Sequence, residues 1–555
     1  MSNTKIAQAL AHLFGKHRIV FWYDSQRELR TEFSALVLPN VEKIQIDNNE
    51  FGVKHRILRG QPDQQFLLYR HGPQLADLDN WLLDVQLAHG EFRTDQVGLW
   101  LAELELPLAF AELVREHEGF FESAKRRDAL KKLLAKDDTN GLLRMKMLAV
   151  CSGTSEPRID ELLEHLLDEL ATDRDDKIKQ VSKAGLDGFL WQQVQRGYGY
   201  SSAAPGVRDF AIELFKSCFA MGIGQPAQLS AEALVFLKRW KDSRRFAGSF
   251  EALSEQSAQT LGIQDKLHSH DLRDLLELDY FELIDRKILS ELVSGVVART
   301  GSANDVAGWV RQRRQSHWFE RFRHLYSAIE VAAELFFLLD AAQLEMASLS
   351  DGIQKYAQNW FRLDQLYRKF VYHARESGQA SLLAQLNTQV ENQYSTNYLL
   401  RLNDRWQPFV DAATLWDAPP IPLQRNFFRH WVQPFLDRKT KVCVLISDAF
   451  RYEIGEELQS LIRQEDKFEA SLEPALSMLP SYTQLGMASL LPNIVIALAQ
   501  DDSGNAVVDG QSAQGTANRG KILAATVPAS AVVQAKDLMT LGRDETRALI
   551  RDNDV

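Results

Sequence analysis

No proline occurs between Pro226 and Pro408, and this absence constrains the fold more than any other feature of the chain. Proline removes a backbone donor and breaks helices, so loop-rich and β-rich domains use it often while helix interiors exclude it. The span therefore predicts helix packed on helix. Apolar residues at helical spacing extend the same reading from about Trp100 to Asn403, in Ile159 to Leu170, Ala211 to Met221, Ala231 to Trp240, Ile329 to Leu339 and Trp360 to Tyr372. No fixed period relates these stretches, so a regular solenoid is not expected. Gly197 to Gly206 reads as a loop by composition.

The N-terminal stretch has a different pattern. Ile6, Leu10, Leu13 and Phe14 form one helical stripe, and Arg18 to Tyr23 is a strand ending on Asp24. A helical segment from Arg27 to Leu38, a strand from Val41 to Ile46, a short helix from Val53 to Leu58 and a strand from Gln65 to Tyr69 follow. Strands alternating with helices imply a parallel sheet, so residues 1–95 are expected to form a small α/β domain. Asp24, at a strand end, is either a metal or phosphate residue or an N-cap, and the cap is favoured.

Trp416 to Pro422 carries three prolines in four residues, which breaks any helix and marks a linker over 416–440. Beyond it, Val442 to Ser447 has strong β character and no turn former, and predicts a buried strand with apolar residues on both faces. The strand stops on Asp448, and Arg451 to Ile462 resumes helical spacing. Strand, carboxylate, helix is the order that puts a carboxylate where ligands bind in an open α/β sheet. Some thirty-five residues later Thr483 stands at or near the start of another short helix. A carboxylate and a hydroxyl so placed can share a divalent metal, which turns the hydroxyl into a nucleophile facing the helix N-terminus, a natural phosphate site.

The wording of these two segments, Asp448-Ala449-Phe450-Arg451-Tyr452-Glu453 and Leu479-Pro480-Ser481-Tyr482-Thr483-Gln484-Leu485-Gly486, resembles the PglZ proteins of BREX phage-defence systems, in the alkaline phosphatase superfamily. Ile19 to Asp24 and the helical middle fit that family too. The resemblance implies a fold of mixed class, α/β plus all-α: the N-terminal α/β domain (1–95), a helical region (96–415), the linker (416–440) and the start of an alkaline phosphatase-like α/β domain (441–555). It implies a metal-dependent phosphoesterase, acting on phosphodiesters that include DNA or nucleotides. Asp448 would be a metal ligand and Thr483 the metal-bound nucleophile, with Arg451 and Glu453 in support. The metal would be zinc, with manganese or magnesium as alternatives, and the partners other BREX proteins, a small BrxB-type protein among them. The family's further Asp and His ligands follow the nucleophile helix, yet no histidine follows His430. The remaining ligands are thus expected beyond Val555, and the chain is expected to be an inactive N-terminal fragment with half a site. The rival reading is a non-catalytic assembly module that docks other defence proteins through its N-terminal and helical regions.

Three further motifs compete. Gly515 to Lys521 has the G-x-x-x-x-G-K spacing of a phosphate loop, but Ile522 replaces the magnesium-binding hydroxyl and Val507 to Gln511 before it reads as a hairpin turn, so an ordered insertion is favoured. His268-Ser269-His270-Asp271 has ligand types without partners and reads as a solvated helix start. Arg311 to Arg323 mixes cations with aromatics, as nucleic-acid surfaces do, but Trp318, Phe322 and Leu325 fall on one apolar face. The net charge of −11 excludes a uniformly basic nucleic-acid coat. Cys151, Cys218 and Cys443 are expected as buried thiols in a reducing cytoplasm. No apolar run reaches the ~18 residues of a membrane span.

Overall fold

The computed structural model describes residues 3–93, 96–501 and 503–555. The chain divides into two compact units, Met1–Ile284 and Asp285–Val555. The first opens with α1 (Asn3–Phe14), β1 (Ile19–Tyr23), α2 (Arg30–Ala35), β2 (Val41–Ile46), α3 (Glu50–His55), β3 (Gln65–Arg70), α4 (Leu83–Ala88), β4 (Gly90–Arg93) and α5 (Gln96–Leu104). The strands form one parallel sheet in the order β2-β3-β1-β4. Alternation along β1 explains why helices cover both faces. Val20 and Trp22 pack with Phe33 and Leu36 of the α2 region and with Ile6 and Leu10 of α1. Ile19, Phe21 and Tyr23 pack with Val53 and Ile57 on one side of the crossover and Leu82 and Val85 on the other. A parallel strand buried on both faces is apolar throughout, which is the composition of β1. Strand β4 is absent from the sequence expectation because Phe92 is its only large apolar residue. Its pairing beside β1 and the edge-to-face contact of Phe92 with Trp22 hold it in the sheet.

The helical expectation is met. Ile159–Ala171, Val207–Gly222 and Ala231–Asp242 are helices of the first unit; Phe319–Ala341 and Phe361–Glu376 are helices of the second. In the second unit the described residues include π-helical turns at Tyr356–Trp360, Gln393–Leu400 and Phe428–Val432. Arg313, one of the cations of the basic aromatic stretch, is fully buried against Asp285, which also accepts the Tyr326 hydroxyl at 2.6 Å. Trp318, Phe322 and Leu325 are buried on one face, so the stretch is a packing element. His268 to Asp271 leads into the short helix Leu272–Leu275, with Asp271 as its N-cap. Among the described residues no helix is long and apolar enough to cross a membrane.

The proline-rich 416–422 segment is packed. Ala418 and Ile421 are buried with Leu349 and Leu476, and the Trp416 indole N–H donates to the Ser477 carbonyl at 2.7 Å. After it, β5 (Ile496–Leu498), β6 (Ala506–Val508) and β7 (Gln511–Ser512) make a small antiparallel sheet. Its β6–β7 hairpin turns on Asp509 (φ 49°) and Gly510 (φ 82°), as a two-residue turn with both φ positive requires.

Two expectations fail here. Val442 to Ser447 is extended but is not a buried strand: Leu445 is 85% exposed, and the backbone bond from Val442 N–H to the Asp554 carbonyl is not continued into a ladder. A strand exists by virtue of its neighbour, and among the described residues no strand lies beside this one. Val442 and Val444 pack against the apolar cluster around Leu485 and Val508, while the alternate residues face outward. Cys443 is consequently exposed, unlike Cys151 and Cys218, whose thiols burial pushes up to about 12.

Candidate functional site

The helix Thr483–Ser489 is positioned by its buried side. Leu485 and Ala488 pack against β6 and the helix Gly515–Thr526, and the Ser489 hydroxyl is turned inward onto the Gly486 carbonyl at 2.7 Å. The Tyr482 hydroxyl, donating to the Gly504 carbonyl at 2.7 Å, fixes the residue before it. Thr483 is the first residue of the helix, one place inside the cap.

The Thr483 hydroxyl donates to Asp448 Oδ1 at 3.3 Å, across 35 residues of sequence, and both side chains are solvent-exposed. The same oxygen accepts the Ala449 N–H at 3.0 Å, in a turn where Ala449 has φ 55°. A positive φ is uncommon outside glycine, so the chain is held to a specific turn directly after the carboxylate.

Arg451 and Glu453 do not join this pair. Arg451 is the extended residue that starts the helix Tyr452–Arg463. Glu453 is fully buried and accepts Arg368 Nε at 3.0 Å and Nη2 at 2.9 Å, with Arg451 Nη2 at 3.7 Å. Arg368 also binds Glu457, and Gln365 donates to the Glu453 carbonyl at 3.2 Å and to Glu456 Oε2 at 3.0 Å. The Tyr452 hydroxyl reaches the Ala357 carbonyl at 3.2 Å. These bonds clamp the first turn of the 452–463 helix, and so the Asp448 loop before it, onto the helix Phe361–Glu376. Arg368 and Gln365 lie far off in sequence and carry no local signal that could have found them.

The other candidates resolve as structure. Gly515 to Lys521 is the first part of a helix rather than a phosphate loop, and Arg519 ties that helix to Gln484 at 3.3 Å and to the Ala513 carbonyl at 3.0 Å. Asp24 is buried at the end of β1. Helix α2 begins only at Arg30, so Asp24 is not its N-cap; it accepts the Glu28 and Leu29 N–H groups and the Tyr69 hydroxyl, the last at 2.6 Å. Burial alone would raise its pKa, but these donors and His71 together hold it below the usual carboxylate range.

Comparison with known proteins fits this geometry. A family model described as the BREX system PglZ alkaline phosphatase-like domain matches residues 427–555, which include both Asp448 and Thr483. The chain is 30% identical to the alkaline phosphatase-like protein BrxZ of Escherichia coli, over 100% of this chain and 68% of that protein. The chain belongs to the PglZ family of BREX systems. It is also 25% identical to the alkaline phosphatase-like protein PglZ of Bacillus cereus, over 96% of this chain and 64% of that protein. It thus spans about two thirds of the length of these PglZ-family relatives. No solved structure matches. Membership makes the chain a component of a phage-defence system with an alkaline phosphatase-like domain at its C-terminal end, in a superfamily that generally uses divalent metals.

The donor set fits a metal only in part. Asp448 and Thr483 offer two oxygens that a divalent cation accepts, but among the described residues no group of three or more His, Cys, Asp or Glu side chains could hold one.

Proposed function

We propose that Asp448 and Thr483 are this chain's share of a metal-dependent phosphoesterase site, with Thr483 as nucleophile and Asp448 as metal ligand. The observation that carries the reading is the 3.3 Å contact between the two exposed side chains. A bound divalent cation would supply Lewis acidity, lowering the pKa of the hydroxyl it touches. The chain's own residues do the rest: Asp448 Oδ1 accepts the hydrogen bond of the Thr483 hydroxyl and so orients Oγ1, and the positive end of the helix that starts at Thr483 favours an anionic phosphoryl group. Zinc, manganese and magnesium are all candidates, and the substrate class is phosphodiesters, DNA or nucleotides among them. The four-part division of the chain is part of the same proposal. So is the assignment of activity to the whole-length protein, because the site has two donors where a metal centre needs more.

The test is hydrolysis of bis-p-nitrophenyl phosphate with added zinc, manganese or magnesium, in this chain and in a whole-length relative. Thr483→Ala and Asp448→Asn should each abolish turnover in whichever form is active. Unchanged turnover in Thr483→Ala would refute the nucleophile.

A docking role is supported by a separate observation. On the N-terminal domain, Phe51 and Trp81 are 67% and 61% exposed with ring centroids 5.1 Å apart, and Leu78 is 98% exposed. Exposed apolar clusters of this kind mark interaction sites. Capture of a small BrxB-type BREX protein should survive deletion of residues 440–555 and be lost in Phe51→Ser/Trp81→Ser. The reverse pattern would sink the docking reading.

A further inference from the structure

The second unit contains a cavity of about 670 Å³, within the range that takes small organic ligands. Two π-helical turns wall it, Tyr356 and Trp360 from one and Ser395 and Leu399 from the other, together with Met346 and Trp406. Such turns cost a regular helix its hydrogen-bond register and recur at functional sites. The polarity is low and one-sided. The Trp360 N–H is already given to the Gln343 carbonyl at 3.2 Å, and the Ser395 hydroxyl to Glu391 at 3.2 Å, so ring faces and aliphatic groups line the cavity. Asn403 supplies an amide at the exposed rim. Gly352 lets the walls close, since a Cβ there would lie 2.9 Å from Met346 Sδ and 3.0 Å from the Trp406 ring.

Each of these π-turns also ties one tyrosine hydroxyl to the same carboxyl. The Tyr356 hydroxyl donates to Asp364 Oδ2 at 2.5 Å and the Tyr394 hydroxyl to Oδ1 at 2.8 Å. Asp364 is therefore the pin between the two walls; Arg451, three residues past Asp448, favours its charged form and the Glu453 carboxylate opposes it. The Tyr356–Trp360 turn makes the direct link to the 448–455 segment, because its Ala357 carbonyl accepts the Tyr452 hydroxyl at 3.2 Å.

We propose that this cavity binds a flat, mainly apolar aromatic small molecule with one polar substituent at the Asn403 rim, and that occupancy stiffens the Asp448 to Gly455 segment through the bond between the Tyr452 hydroxyl and the Ala357 carbonyl of the cavity wall. Aromatic walls on several sides select a planar ring, which gains stacking and edge contacts beyond simple burial. The coupling half rests on the reading of Asp448 as a site residue; the binding half does not.

The experiment uses the 555-residue chain with 1-anilinonaphthalene-8-sulfonate as probe and hydrogen exchange at residues 448–455 as readout, neither of which needs metal or catalysis. The Ile454 and Gly455 N–H groups, both bonded to the Arg451 carbonyl at 3.0 Å, are the reporters. Saturable binding should weaken at least tenfold in Leu399→Trp and in Ser395→Trp, which plug the cavity. Probe should slow exchange at 448–455 at least threefold in the wild type and have no effect in Tyr452→Phe, which leaves the cavity wall intact and loses the bond to the Ala357 carbonyl. Binding that both plugs leave intact overturns the site, because the probe then sits on exposed apolar surface elsewhere. Plug-sensitive binding without slowed exchange overturns the coupling.

Discussion

The clamp on Glu453 yields a prediction in which the order of effects matters more than any one value. Glu453 is fully buried, whereas its partner Arg368 is 34% exposed and keeps a second carboxylate, Glu457. Arg368→Gln leaves a buried carboxylate with only Arg451, whose side chain is 67% exposed and 3.7 Å away. Stranding a buried charge costs about 3–5 kcal/mol. Glu453→Gln strands nothing, because Arg368 retains Glu457 and water; it loses charge-assisted hydrogen bonds worth about 2 kcal/mol. In the double variant no charge is buried, so it should be more stable than Arg368→Gln alone. Thermal unfolding of the second unit, followed by calorimetry, should show a fall of roughly 4–8 °C for Glu453→Gln and a larger one for Arg368→Gln, with partial recovery in the double variant. Equal single-variant effects that simply add would refute the claim that Glu453 is a buried charge held by Arg368.

Three other outcomes follow from single side chains. The folded-state pKa of Asp24 is depressed, so its contribution is fully present above the unfolded value of about 4 and is lost as pH falls through the folded one. Asp24→Asn should therefore destabilise the first unit at pH 7, by an amount that shrinks in urea titrations below about pH 4; a difference that grows on acidification would contradict the assignment. Gly119→Ala puts a Cβ 2.3 Å from the Lys183 carbonyl oxygen, a backbone atom that cannot swing aside, and should cost about 2–3 kcal/mol in urea unfolding. Cys443 is exposed while burial holds the Cys151 and Cys218 thiols at about 12, so Ellman's reagent at pH 8 should titrate one fast thiol per native chain.

What the sequence showed of this molecule follows from how local each signal is. Strand β2 spans Val41–Ile46 as its residues predict, and the helices of the middle lie where apolar spacing puts them, because both patterns are satisfied within one element. The Asp448–Thr483 pairing was also legible, since each residue sits at a chain feature with its own signature, the end of an apolar run and the start of a helix. Val442 to Ser447 has the composition of a strand for the same local reason, yet strand character needs a neighbour, and composition says nothing about whether one lies alongside. The clamp shows the opposite failure: Glu453 and Arg368 are 85 residues apart, and nothing in either neighbourhood marks them as partners. That Glu453 is conspicuous in the sequence only for lying near Asp448, while its structural work is to hold the helix after Asp448 in place, is why it read as a member of the site. Its role is one step removed. It fixes the start of the helix that follows the carboxylate loop, and the helix Phe361–Glu376 therefore acts as the base on which the Asp448 loop rests.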